Sequence, residues 1–580
     1  MDTSNSLVPE DTGAFIKTIF RKQASLNILA QVASVVGPIV CTSLVGAHFG
    51  SGGLAIMAIC APLFLAASFF GAIPGGAQIL CSGFIAKDEM ENVNKVYSAA
   101  IVLTLTAATI VCAALLAFKT PILTLMAGEI SPELSAYYSF FVLYSFFTMP
   151  AYIPLYFSKV AGRPEIGLAL TVTMSAVSIA ASLLLVGMMG LEAIALGQAI
   201  GTVAGLAASM FMLRKHFQFS FPKKLYIKPI LAAGSPVGLP RLYLLIKTLL
   251  LNALFLSVGG IGALAVFGVV SVLHRFTSAA INGLTQTLTP LVGVFHEERD
   301  TTSISQTMKT ALLYGNALML LIGLLLCVFS EQVGVAFGLS GQTGMFGYAM
   351  PFYAGYIVLL MNAMVFTAYY NASERLLLAN AIPFLQEFAL LCAGAYVFAA
   401  LLGISGIWAA FPLSGAVTLA ILFGILAVIK HRSGDITIPL LQDRRLEREG
   451  RYISFSVEGK LEKASEASAR ISDFCEGNGV PPKLTMQISM SIEEIITLII
   501  NNSKRKALSV SVRLFLLEGT TVLRIRNVGE KFNAIEYYEQ NIAGDIERSM
   551  DALGMKYIVQ TANVIYYRQT FGVNSLVMLL

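Results

Sequence analysis

The chain has 580 residues, 56% of them apolar and 13% charged, with a formal net charge of +5 and a mean hydropathy of +0.74. So apolar a composition excludes an ordinary soluble globular protein, and the small basic excess excludes nucleic acid as a partner. The seven cysteines (Cys41, Cys60, Cys81, Cys112, Cys327, Cys392, Cys475) lack C-x-x-C spacing, and six lie in apolar stretches; they read as small core hydrophobes, not as a disulfide framework or a metal site.

The N-terminus, residues 1–24, has no basic segment leading into a short apolar run and a small-residue cleavage site, so no signal peptide is expected. Apolar runs long enough to cross about 30 Å of hydrocarbon then lie near residues 25–45, 54–80, 97–118, 135–157, 166–187 and 190–213. A basic linker, 214–228, separates them from six more, near 229–257, 261–292, 311–329, 347–370, 378–402 and 405–430. With the N-terminus inside, seventeen basic side chains between Lys17 and Arg432 fall on cytoplasmic segments and Lys119 alone falls outside. That asymmetry predicts a multi-pass membrane protein with both termini in the cytoplasm; the membrane expected is a bacterial inner membrane.

Two six-helix halves, 25–213 and 229–430, repeat one another at an offset near 210 residues. Gly50-Ser-Gly-Gly-Leu-Ala-Ile56 matches Gly260-Ile-Gly-Ala-Leu-Ala-Val266. Gly75 and Gln78 correspond to Gly283 and Gln286, and Gly190 and Ile194 to Gly403 and Ile407; charged loops follow at Ala86-Lys-Asp-Glu-Met90 and Phe295-His-Glu-Glu-Arg299. Parallel repeats of this kind predict a cavity between the halves near the bilayer midplane, opened alternately to each side by rocking. In these motifs the chain resembles the multidrug and toxic compound extrusion (MATE) transporters over about residues 15–430. The resemblance implies export of small amphipathic compounds driven by a cation gradient.

An ionisable group within a span is costly enough to suggest function. The candidates for the substrate and ion pathway are Gln78, Lys247, Arg275, Asn282, Gln286 and Glu387. Arg275, Ser278, Asn282 and Gln286 are spaced i, i+3, i+7 and i+11, one helix face; Arg275 either faces the cavity, or sits near a helix end or ties two helices together. Arg241 is expected to snorkel towards the cytoplasm, and Glu387 is a counter-charge for Lys247. Many members of the resembling family carry an aspartate where Cys41 stands, so the coupling ion, sodium or proton, does not transfer from the resemblance. Glu387, and after it Glu192, are the acidic candidates for coupling.

Charge rises sharply towards the C-terminus: 38 of residues 1–435 are charged, against 35 of the 145 that follow. After a linker at 431–449, residues 450–580 predict a cytoplasmic α/β sandwich domain, with helices over Leu461–Asn478 and from about Leu484 to Ser503, and strands Ser509–Leu517 and Thr521–Arg526 joined at Glu518-Gly519. Ser491-Ile-Glu-Glu-Ile-Ile-Thr-Leu498, Arg526-Asn-Val-Gly-Glu-Lys-Phe-Asn533 and Ala552-Leu-Gly-Met555, with a closing Asn574-Ser-Leu-Val strand, resemble the histidine-kinase-like ATPase fold of anti-sigma factors. The resemblance makes Glu494, Asn527, Gly529 and Gly554 a nucleotide site. Leu498 stands in place of its magnesium-binding asparagine and Asn527 in place of its adenine-binding aspartate, and leucine offers no oxygen to a hard cation. A degenerate domain follows, kept for regulation or for contact with a cytoplasmic regulatory protein, with room for weak ATP binding.

The chain therefore reads as an all-α polytopic membrane protein of twelve transmembrane helices in two six-helix repeats, plus a C-terminal α/β sandwich. Its partners are membrane lipid and a small-molecule substrate, and no cofactor or metal is required. The leading function is a secondary antiporter with no catalytic residues in the spans. The alternative is a lipid-linked oligosaccharide flippase of the same superfamily.

Overall fold

The computed structural model describes residues 10–33, 35–85, 89–161, 163–221, 225–297, 300–432, 436–437, 439–443, 451–503, 509–517, 520–542, 553–570 and 573–580. The first half comprises α1 (Glu10–Ala33), α2 (Val36–Phe69), α3 (Ala72–Ile85), α4 (Met90–Ala117), α5 (Lys119–Ala127), α6 (Pro132–Val160), α7 (Pro164–Met189) and α8 (Glu192–Leu213). The second holds α9 (Ile227–Glu297), α10 (Thr301–Val328), α11 (Ser330–Ala336), α12 (Thr343–Ala372), α13 (Leu376–Phe384), a π-helical turn (Leu385–Ala389), α14 (Leu390–Leu402) and α15 (Ile404–Arg432). Ten helical stretches among the described residues are long and apolar enough to cross a membrane.

Two of those ten stretches, Val36–Cys81 and Gly238–Gly293, are far longer than one crossing needs. The 71-residue α9 would be about 107 Å long if straight, over three times the hydrocarbon thickness. It breaks at Gly260 (φ 68°, ψ −164°), as α2 breaks at Gly50 (φ 59°, ψ −152°). These dihedrals lie in a region that only glycine occupies cheaply, which gives the repeated glycine its physical reason. Gly190 and Gly403, another pair matched between the halves, also have positive φ, at 78° and 63°. The succession itself repeats: α4, the short α5 and Gly128 are echoed by α10, the short α11 and Gly338, the two glycines having φ of 76° and 73°.

The C-terminal part opens with a short antiparallel pair, β1 (Ile436–Thr437) with β2 (Gln442–Asp443). The chain between them is held by the second half. Tyr370 Oη donates to Pro439 O at 2.7 Å, and Arg375 Nη1 to Leu440 O at 3.0 Å. There follow β3 (Arg451–Glu458), α16 (Leu461–Gly477), α17 (Pro482–Asn502), β4 (Ser509–Leu517), β5 (Thr520–Val528), α18 (Ala534–Asn541), α19 (Leu553–Thr561), β6 (Val564–Thr570) and β7 (Val573–Leu579). The five longer strands form an antiparallel sheet in the order β3-β4-β5-β7-β6. The Glu518-Gly519 turn between β4 and β5 lies outside the described residues.

Period-two alternation sorts this sheet into two faces. Val510, Val512, Leu514, Leu523 and Ile525 pack with Ile471, Ile488, Ile492 and Ile495 of the helices into one core. The opposite face carries Arg513, Arg524 and Arg526, with Arg513 directly across from Arg524 in the register. Like charges so placed repel, and an acid from the helical part answers them. Asp300, 1% exposed, meets Arg513 Nη1 at 2.5 Å, Arg524 Nη2 at 2.7 Å and Arg526 Nη1 at 3.0 Å. Asp300 also caps α10, accepting from the Ser303 amide at 3.0 Å.

Candidate substrate cavity

Where α2 of the first half packs on α9 of the second, the helices enclose a cavity of about 400 Å³, within the usual range of about 300–1,000 Å³ for small-molecule sites. Both halves build its wall, which is largely apolar and aromatic: Phe64, Tyr144, Phe267, Tyr353, Tyr356 and Phe411 all line it. Phe64 and Tyr144 stack at 5.9 Å between centroids, and Tyr353 shares a hydrogen bond of 2.7 Å with Thr277.

The charged groups of the wall come from α9 and from the π-helical turn. Lys247 Nζ lies 3.4 Å from Glu387 Oε2, with the two side chains 12% and 16% exposed. The π-turn that carries Glu387 follows Pro383 at the end of α13; such turns recur at functional positions because they re-aim side chains within a helix. His274 joins this group, its Nε2 3.9 Å from Glu387 Oε2 and 3.4 Å from Ser278 Oγ. Arg275 differs from Lys247: its guanidinium lies 5.5 Å from the Phe64 ring centroid, and among the described residues no carboxylate is within ion-pairing distance of it.

Of the residues singled out by sequence, Lys247, Arg275, Asn282 and Glu387 line the cavity, together with Ser278. Gln286 does not, since it is exposed and Gln31 Nε2 donates to its Oε1 at 3.4 Å. Gln78 is half-buried on α3, away from the wall. Cys41 is buried, while Pro38 and Thr42 on either side of it in α2 face the cavity. Arg241, expected to snorkel, instead reaches across to the first half: Nη1 donates to Ser68 O, Nη2 to Tyr156 Oη at 3.1 Å, and the guanidinium stacks over Tyr152. His274 escaped the sequence reading, although it adjoins Arg275 in α9; the aromatic Phe64 and Tyr144 carried no signal that distinguished them from ordinary span residues.

In the C-terminal part a second cavity, of about 610 Å³, lies against α17 and is lined by Glu493, Glu494, Leu498, Asn501, Tyr537 and Met555 among others. Glu494 already has partners: Oε1 accepts from the Gly554 amide at 2.8 Å and Oε2 from the Met555 amide at 2.7 Å. Burial raises its carboxyl above the ordinary range, and those two amides oppose the rise. Gly554 approaches α17 too closely for a side chain, a Cβ there falling 2.7 Å from Met490 C. Asn527 is buried in β5 opposite Asn574, and Gly529 O accepts from Gln569 Nε2 at 3.3 Å. Asn527, Gly529 and Gly554 thus stand outside that cavity wall.

No protein-family model and no curated protein matches the chain. Solved structures do. An inward-facing multidrug resistance transporter of the MATE family, in the MOP superfamily, superposes with a TM-score of 0.63 at 17% identity, over 72% of this chain and 99% of that one. The fold of the helical part is the MATE fold. A variant of the VcmN MATE transporter from Vibrio cholerae gives a TM-score of 0.56 at 17% identity, over 71% of this chain and 98% of the other. A MOP superfamily transporter from Pyrococcus furiosus, whose binding pocket has a reversed polarity suggesting a different function for it, gives 0.54 at 16%, over 72% and 97%. The matched share is about that of the MATE-like helical part, so the C-terminal sheet and its helices are an addition to the fold.

Proposed function

We propose that the chain is a secondary active antiporter that exports small amphipathic compounds, driven by a sodium or proton gradient and regulated by its cytoplasmic C-terminal domain. The cavity between the two halves carries this reading, because it joins an aromatic wall to buried charges that a purely structural helix packing would have no reason to retain. Counting the breaks at Gly50 and Gly260 as reversals turns ten apolar stretches into twelve crossings, which returns the C-terminal domain to the side of the N-terminus. The basic asymmetry makes that side the cytoplasm, and we take the membrane to be a bacterial inner membrane. Glu387, beside Lys247 and His274, is the group we assign to ion coupling.

The C-terminal domain acts as a regulatory element rather than an ATPase. Leu498 supplies no magnesium ligand, and the two carboxylate oxygens of Glu494 are engaged by backbone amides. Lipid-linked oligosaccharide flipping is the second reading, favoured by the cationic Arg275 but not by a cavity of drug-molecule size. Uptake into proteoliposomes under imposed sodium or proton gradients tests the proposal. Gradient-dependent dye movement that Glu387→Gln abolishes is the expected result; movement indifferent to either gradient would remove the antiporter reading.

A further inference from the structure

We infer that the cavity accepts an amphipathic organic anion, a planar apolar body bearing one acidic group held by Arg275. The inference rests on the reading of this cavity as a substrate site and specifies its substrate class. The charge of the wall carries the argument. Its one carboxylate, Glu387, is engaged by Lys247 at 3.4 Å and approached by His274 at 3.9 Å. That pair is neutral as a unit, which leaves the Arg275 guanidinium, among the described residues, as an uncompensated positive charge, because arginine stays protonated in proteins.

Position rules out a helix-end role for Arg275. It lies fifteen residues beyond the Gly260 break and twenty-two before the end of α9 at Glu297. At 1.5 Å per residue these are about 22 Å and 33 Å of helix, so neither end is within reach of the side chain. A guanidinium in mid-helix, facing a cavity and stacked on a ring instead of on a carboxylate, is a site whose partner arrives with the ligand. Guanidinium binds carboxylate, sulfonate or phosphate through paired donors. Other rings of the wall, Tyr353, Tyr356 and Phe411, offer apolar surface to the rest of such a molecule. Ser278 and Asn282, one and two turns further along the same face of α9, place neutral hydrogen-bonding groups beside it. A cationic drug placed there would meet Arg275 as a like charge with no free carboxylate to receive it.

The test compares two probes of similar size and opposite charge on the full chain in phosphatidylcholine nanodiscs. They are anilinonaphthalene sulfonate and ethidium, with binding measured against empty nanodiscs. The sulfonate is expected to bind and ethidium to bind at least about tenfold more weakly, a difference of one charge-assisted contact. Arg275→Met should weaken the sulfonate by a similar factor and leave ethidium unchanged or improved, with Arg275→Lys in between. Repeating the measurement with phosphatidylglycerol in the bilayer separates the sources of the anion: displacement of the dye points to a lipid headgroup, and retention to a free solute. Ethidium binding more tightly than the sulfonate in the unaltered protein, or sulfonate binding indifferent to Arg275→Met, would overturn the anion and leave the transporter reading standing. Binding of neither probe would overturn both.

Discussion

Asp300 and Arg513 are 213 residues apart in sequence and in contact at 2.5 Å. Asp300 caps α10 of the helical part, and Arg513 projects from the sheet of the C-terminal part, so their ion pair helps to fasten the two together. Arg524 and Arg526 close on the same carboxylate, Arg526 lies over the Phe295 ring at 4.5 Å and Arg513 over Tyr452 at 4.9 Å. Tyr370 and Arg375, on the same half as Asp300, hold the linker. The C-terminal part is therefore attached to the second half, while its β3 also touches α1.

Asp300→Ala removes the shared partner of three buried arginines. Stranding buried charge in this way costs about 3–5 kcal/mol, enough to release the sheet from α10. Hydrogen exchange of β4 and β5 is expected to quicken in the full chain while that of α6 and α7 stays as it was. Unchanged exchange in β4 and β5 would mean that Asp300 does not hold the sheet.

The same cluster predicts a dependence on pH. Burial alone would raise the Asp300 carboxyl, but the charges of Arg524 and Arg513 and the hydrogen bonds from Ser303 outweigh it and hold the group at about 2. A carboxyl depressed on docking stabilises the docked form above its ordinary value near 4, and that stabilisation is lost as the pH falls towards 2; it amounts to about 2 kcal/mol. Energy transfer between dyes at Lys215→Cys and Glu476→Cys should therefore be constant from pH 7 to 5 and change between pH 4 and 2. Asp300→Asn should abolish that change. A transition centred above pH 5 would implicate another group.

Lys247→Met leaves Glu387 charged at membrane depth without its partner. A loss of about 3–5 kcal/mol is expected, seen as a lower melting temperature in detergent. In Lys247→Met/Glu387→Gln neither charge remains, so the double variant should melt well above the sum of the two single effects. Strict additivity would indicate that the 3.4 Å contact carries no coupling.

Gly50→Ala and Gly260→Ala meet no atom within 4 Å of the added Cβ, so any loss comes from backbone strain. About 1–3 kcal/mol each is expected. Gly52→Ala is the control: it too has open space, but lies in ordinary helix and should be neutral or slightly stabilising. Equal behaviour of all three in a melting series would contradict a break enforced by dihedral strain.

Glu494→Gln points an amide donor at one of the two backbone amides that Glu494 now accepts. A loss of about 1–3 kcal/mol is expected in the C-terminal part, and Gly554→Ala should cost at least as much by pressing on Met490. Were Glu494 held only for activating water, Glu494→Gln would leave the melting of this part unchanged.

The apolar runs and their repeat could be read from sequence because lipid accepts only long contiguous apolar segments with their backbone satisfied internally. The glycines were readable too, since a positive φ selects glycine whatever surrounds it; Gly50 with Gly260 and Gly190 with Gly403 were matched by sequence and share that backbone. Helical spacing placed Arg275, Ser278 and Asn282 on one face. That spacing does not say where a cavity ends, and Gln286, one turn further, lies beyond it against Gln31. Charge pairing was the part left to tertiary structure. Glu387 could be named as a counter-charge for Lys247, but only the packing of the π-turn against α9 brings them to 3.4 Å and leaves Arg275 without a carboxylate among the described residues. Asp300 and the arginines of β4 and β5 carried no signal in the sequence, and only the docking of the sheet on α10 brings them together. Electrostatic partners are chosen by distance in space, and in a chain folded from two repeats and an added sheet, nothing in the local pattern encodes that distance.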